Sequence, residues 1–139
     1  MRVYPDSAAA IYLVENIAPW GTAVQSFLCK PGAVPQASVL TRKECRVLPL
    51  REDRAELLAD YDAFFASLDG GLLDLNAAVF EKATDLRARL NLRTPDALHL
   101  ATAIVCGCDV FLTNDQTLQR CTEIRIKTVA PQGAMFSTR

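Results

Sequence analysis

At 139 residues, half of them hydrophobic and 22% charged, the chain is long enough to bury a core of its own and too apolar to be disordered. Fifteen basic against sixteen acidic residues leave a formal net charge of −1, so any nucleic-acid contact has to come from a local patch. Five cysteines, at positions 29, 45, 106, 108 and 121, show no Cys-x-x-Cys spacing and read as reduced, buried thiols, not as a disulfide framework or a zinc site.

In chain order, Met1 to Tyr4 reads as a short strand stopped by Pro5 and Asp6. A helix is expected from Ser7 to Asn16, with Ala10, Ile11, Leu13, Val14 and Ile17 on its apolar stripe, and a second from Pro19 to Cys29, ended by Pro31-Gly32. Ala33 to Leu40 reads as a second strand, and Thr41-Arg42-Lys43-Glu44 as a helix start. Leu50 to Leu68 forms one long amphipathic helix in this reading, broken by Asp69-Gly70-Gly71, with Leu72 to Leu75 a third strand.

Ala77 to Leu90 is a charged-faced helix. Thr94-Pro95-Asp96 gives a capping Thr, Pro at the first helical position and an acid in the first turn of a helix ending at Gly107. Asp109 to Thr113 is a fourth strand, Gln116 to Cys121 a short helix and Ile124 to Val129 a fifth strand. Strands alternating with helices predict an α/β fold, a mostly parallel sheet of about five strands with helices on both faces. One domain is expected over residues 1–130, with a loose tail at 131–139. Asp6 and Glu15 interrupt any apolar core of a signal peptide, and no apolar run is long enough to span a bilayer, so a cytoplasmic location without membrane contact is expected.

In an open parallel sheet, ligands bind beyond the carboxyl ends of the strands. Asp6 follows the first strand, Glu44 lies a helical turn past the second, Asp115 follows the fourth, and Asp96 opens the helix leading into the fourth. Four carboxylates converging there repel one another unless a cation cancels their charge, and an all-oxygen set of this kind suits Mg²⁺ or Mn²⁺. Bound metal can activate water for attack on a phosphodiester.

Each acid also has a purely structural role open to it. Asp6 and Asp115 can cap the helices that follow them, Thr41-x-x-Glu44 fits a capping box, and Asp96 favours a helix dipole. Taken singly those roles explain each acid at least as well as a metal does; the shared sheet edge is what favours the joint reading. Ser7, Thr113 and Asn114 stand beside the acids as supporting residues. Arg42, Lys43, Arg46 and Arg93 flank them as candidates to hold an RNA backbone, with a solvated helix face as the bland alternative. His99, three residues after Asp96, either supports the site or is simply packed.

These residues resemble the PIN-domain ribonucleases, and within them the VapC toxins of bacterial toxin–antitoxin pairs. The matching stretches are Val3-Tyr4-Pro5-Asp6-Ser7 with Ile11 to Glu15, Leu40-Thr41-Arg42-Lys43-Glu44, Leu92-Arg93-Thr94-Pro95-Asp96-Ala97-Leu98-His99-Leu100-Ala101-Thr102-Ala103, and Phe111 to Asp115. The third is the most specific. The resemblance implies that Asp6, Glu44, Asp96 and Asp115 are the acidic metal-binding quartet of an Mg²⁺- or Mn²⁺-dependent endoribonuclease. It also implies a homodimer inhibited by a cognate VapB-like antitoxin whose C-terminal segment covers the site. Val39 departs from the pattern, since many relatives carry a further acid there.

The main rival is a PIN-like module that has lost catalysis and only binds RNA or protein, which the intact quartet argues against. A receiver domain wants an acidic pair after the first strand, and a dehalogenase-type phosphatase an acid at position 8; Ser7 and Ala8 answer neither.

Overall fold

The computed structural model describes residues 1–129. Its elements are β1 (Arg2–Pro5), α1 (Ser7–Val14), α2 (Trp20–Leu28), β2 (Val34–Pro35), α3 (Val39–Arg51), α4 (Ala55–Ala66), α5 (Ala77–Leu90), α6 (Thr94–Val105), β3 (Val110–Thr113), a 3₁₀ turn (Gln116–Arg120) and β4 (Arg125–Thr128). The described sheet is parallel and four-stranded, ordered β2-β1-β3-β4. The tail expected at 131–139 lies outside the described residues.

Alternation along the strands divides the core between the two faces. Tyr4 and Phe111 pack with Val79, Leu86, Ala97 and Leu100 of α5 and α6. Val3, Val110 and Leu112 point the other way, onto Ala9, Val24, Phe27 and Leu28 of α1 and α2. A third cluster, Cys45, Tyr61, Phe65 and Leu68 around Ala10, holds α3 and α4 against α1. The α/β architecture with both faces covered is the expected one, and no described helix is long and apolar enough to cross a membrane.

Several local expectations were overturned. The second strand is two residues long, not the stretch Ala33 to Leu40. Gln36 N–H still donates to Val3 C=O, but Ser38 then begins α3 through a capping box: its hydroxyl accepts from Thr41 N–H, while Thr41 Oγ1 accepts from Ser38 N–H. The box is therefore Ser38/Thr41, not Thr41/Glu44, and Glu44 is released from any capping duty. Ser38→Ala should lower unfolding free energy by about 1–2 kcal/mol in a urea titration, because the same hydroxyl also meets buried Tyr4.

The helix expected over Leu50 to Leu68 is two helices. Asp53 takes a left-handed conformation (φ 52°), Arg54 N–H donates to Pro49 C=O and Asp53 N–H to Leu50 C=O, a Schellman ending that turns the chain before α4. Leu72 to Leu75 contributes one bridge, Ser38 with Leu73, and no strand; positive-φ Gly70 and Gly71 precede it and the Asn76 cap of α5 follows at once. Thr94 is the first residue of α6 and not its cap, which is Arg93 and makes no side-chain capping bond.

Candidate active site

β1 and β3 are adjacent, and the chain leaves them toward opposite edges of the sheet, so the crevice beyond their carboxyl ends is the place a ligand would enter. Asp6 ends β1 there and Asp115 follows β3. α6 reaches the same edge for a local reason. It ends in a Schellman motif, Cys108 N–H to Ala103 C=O and Gly107 N–H to Ile104 C=O, with Gly107 at φ 77°. That tight turn feeds β3 directly, so α6 runs antiparallel to it and its first turn, with Asp96, lies at the carboxyl edge.

Asp6 is held at both oxygens. Oδ1 accepts from Ala9 N–H at 2.8 Å, capping α1, and Oδ2 accepts from Thr113 Oγ1 at 2.6 Å. Burial pushes its carboxyl above the ordinary range; the two hydrogen bonds and a charged His99 pull the other way, and Asp96 adds to the rise.

Glu44 shifts oppositely. Burial by itself would raise it, but hydrogen bonds from His99 and Ser7 and the positive charges of His99 and Lys43 leave it below its usual range. Both bonds fall on one oxygen: Ser7 Oγ stands 2.5 Å and His99 Nε2 2.6 Å from Oε1. Among the described residues, Oε2 has no partner.

Asp96 is paired through Oδ2 with Arg93 Nε at 3.1 Å, an exposed contact of little energy. Asp115 turns its carboxylate to Thr117, accepting from its N–H and hydroxyl, so it caps the 3₁₀ turn. It joins the others only through Thr113, whose Oγ1 accepts Asp115 N–H and donates to Asp6.

Glu44 thus meets His99 and Ser7, Asp6 meets Thr113 and feels the charges of Asp96 and His99, and Asp115 is joined to Asp6 through the Thr113 hydroxyl. Among the described residues no three His, Cys, Asp or Glu side chains form a group set to hold a metal ion. The donor chemistry nevertheless fits a hard divalent cation: the candidates are carboxylate oxygens, and Asp6 carries a charge that burial and Asp96 both disfavour.

Of the supporting residues, Ser7 and Thr113 bond acids directly, while Asn114 donates to Tyr12 Oη at 2.9 Å. Among the basic candidates, Arg46 is paired with Asp62 and Arg93 with Asp96. Arg42 and Lys43 make no ion pair among the described residues. Val39 is 43% exposed at the start of α3.

What the sequence left open is His99, and the structure makes it both packed and connected. Only 3% exposed, it bonds Tyr4 Oη through Nδ1 at 2.7 Å and Glu44 through Nε2. Tyr4 Oη in turn meets Ser38 Oγ at 2.8 Å and Thr41 Oγ1 at 3.3 Å. Because the Glu44 carboxylate can only accept, Nε2 donates to it, and Nδ1 faces the Tyr4 hydroxyl. No buried side-chain polar atom among the described residues lacks a partner. No sequence signal pointed to Tyr4, Ser38 or Thr41 as a support, because their polar atoms meet only after β1, α3 and α6 pack.

Against known families, the sequence matches the PIN domain over residues 3–124. No curated protein sequence gives a significant match. Solved structures with the same fold include VapBC2 from Rickettsia felis bound to a DNA fragment from its promoter, with TM-score 0.75 and 16% identity over 92% of this chain and 98% of that one. DNA-bound VapBC from Salmonella typhimurium aligns with TM-score 0.72 and 18% identity over 92% and 98% of the two chains. Mycobacterium tuberculosis VapC20, a sarcin–ricin loop cleaving toxin, aligns with TM-score 0.68 and 16% identity over 88% and 98%. At these identities the likeness is one of fold.

Proposed function

The chain belongs to the PIN-domain family, and on that premise we propose that it is a metal-dependent endoribonuclease of the VapC type, the toxin of a toxin–antitoxin pair. The observation that carries this reading is at the carboxyl edge, where buried Asp6 is held by Thr113 and Ala9 N–H and Glu44 is braced by Ser7 and His99.

Asp6, Asp96 and Asp115, with Glu44, are the residues that would hold Mg²⁺ or Mn²⁺. When bound, the ion supplies charge neutralisation at the phosphate and an acidified water. The chain's own part is positional. Thr113 and Ala9 N–H fix the Asp6 carboxylate, and the Thr113 hydroxyl ties the Asp115 loop to it. Ser7 and His99 hold Glu44 Oε1, which leaves Oε2 to face a ligand or water. Arg42 and Lys43 grip the RNA backbone through charge, with Arg93 and Arg46 joining when they leave their surface ion pairs.

A cytoplasmic homodimer restrained by a VapB-like antitoxin completes the reading. Exposed Val47, Leu48 and Leu50 on α3 offer the apolar surface a protein partner covers.

The test is cleavage of total RNA by the purified, antitoxin-free protein with Mg²⁺, with Mn²⁺ and with EDTA, beside Asp96→Asn. Discrete fragments requiring both metal and Asp96 are expected. A folded protein that binds no metal and cuts nothing would favour a PIN-like binding module instead.

A further inference from the structure

We propose that Trp20, backed by Tyr12, is a stacking platform for an unpaired base of the RNA beside the acidic cluster. The proposal rests on the nuclease reading for its ligand class, but its test does not depend on cleavage.

The two rings lie face to face, with centroids 5.3 Å apart and planes 22° from parallel. Tyr12 is anchored: its hydroxyl accepts from Asn114 Nδ2 at 2.9 Å, and its ring packs on the core formed by Val3, Val24 and Leu112. Asn114 directly precedes Asp115 and follows Thr113, the residue that bonds Asp6. The pair is therefore tied to the loop that carries Asp115. Trp20, in contrast, belongs to none of the core clusters; it is partly exposed, flanked by exposed Pro19 and Thr22, and its described ring contact is Tyr12.

A partly exposed indole stacked on a braced phenol suits a nucleobase. Every base has a π-face, and single-stranded RNA is bound by such rings with little entropy lost by the protein. Charge beside the C-terminal end of α2, from Lys30 just after the helix and Lys127 on β4, fits a polynucleotide. Phe27, two turns further along α2, carries the ammonium groups of Lys30 and Lys127 at 4.8 and 5.8 Å from its ring. Neither lysine makes an ion pair among the described residues, so both remain available to phosphates.

Trp20 is the only tryptophan in the chain, so its emission reports on this position alone. A short single-stranded oligoribonucleotide of mixed sequence would be titrated into full-length protein in EDTA, where metal-dependent cleavage is off. An abasic ribose-phosphate of equal length is the control.

Base-bearing RNA should quench the emission and bind about tenfold more tightly than the abasic strand, and Trp20→Ala should erase that preference. Trp20→Phe, which keeps a ring, should retain most of it, and circular dichroism checks that both variants fold. Equal affinity for the two strands, unchanged emission on binding, or no binding to either strand would overturn the platform. Quenching by an RNA that the protein never cleaves with Mg²⁺ or Mn²⁺ would leave the platform standing and sink the nuclease reading. Cleavage with no base-dependent quenching would do the reverse.

Discussion

In metal-free buffer at neutral pH, Asp6→Asn should melt at a higher temperature than the parent protein while losing RNA cleavage by about a thousandfold or more. The two effects have one cause. Burial and Asp96 raise the Asp6 pKa in the folded state, so the ionised form is worse accommodated there than in the unfolded chain. A folded-state pKa above the unfolded one means that stability falls as pH climbs from the ordinary carboxylate range through the raised value, and stays lower beyond it.

Each unit of that elevation costs about 1.4 kcal/mol, which corresponds to a few degrees in Tm for a chain of this size. Asparagine keeps an oxygen to cap Ala9 N–H and removes the charge. It also removes the anionic ligand that charge provides, and losing one electrostatic group at a reacting centre commonly costs two to three orders of magnitude. The check is a pair of thermal scans in EDTA, at neutral pH and near pH 4, beside the cleavage assay. The gain in Tm should shrink at the lower pH, where protonation of Asp6 sets in for the unfolded chain as well. A variant less stable than the parent at neutral pH would mean that Asp6 is a structural cap first. Retained cleavage would remove it from the metal set.

The second large effect is expected at His99. Replacing this buried ring by alanine leaves a cavity, strips Tyr4 Oη of its 2.7 Å partner and takes from Glu44 the hydrogen bond that lowers its pKa most. A loss of about 2–4 kcal/mol in unfolding free energy follows from the cavity and the stranded polar groups together. Cleavage should fall on the order of a hundredfold even under conditions where the variant is fully folded, because Glu44 is no longer fixed.

Tyr4→Phe separates the two contributions. It removes only the hydroxyl, should cost about 1 kcal/mol, and leaves the His99–Glu44 bond in place. Urea titrations with cleavage measured on the native baseline would decide it. If His99→Ala cuts RNA as fast as Tyr4→Phe, the histidine does no more than fill space.

The sequence by itself settled the fold class, because strand-helix alternation and the period of apolar residues are local signals. It also placed α5 to the residue, Ala77–Leu90, and set Asp6 and Asp115 at strand ends, where chain order dictates position. It misread the stretch from Ala33 to Leu75, where the outcome turned on one residue at a time. Ser38 outcompeted further pairing by capping a helix, Asp53 accepted a left-handed turn, and Leu72 to Leu75 found a single bridging partner.

Only the tertiary structure decided how the acids are supported. Glu44 and His99 are 55 residues apart, and Thr113 and Asp6 107 apart, so no spacing rule could pair them. Nor could composition reveal that Asp115 faces its own turn while Asp6 sits in a field that disfavours its charge. Periodicity and chain order are carried by neighbours along the backbone. Hydrogen-bond geometry and desolvation depend on which distant groups packing brings within 3 Å, and those distances exist only once the chain has folded.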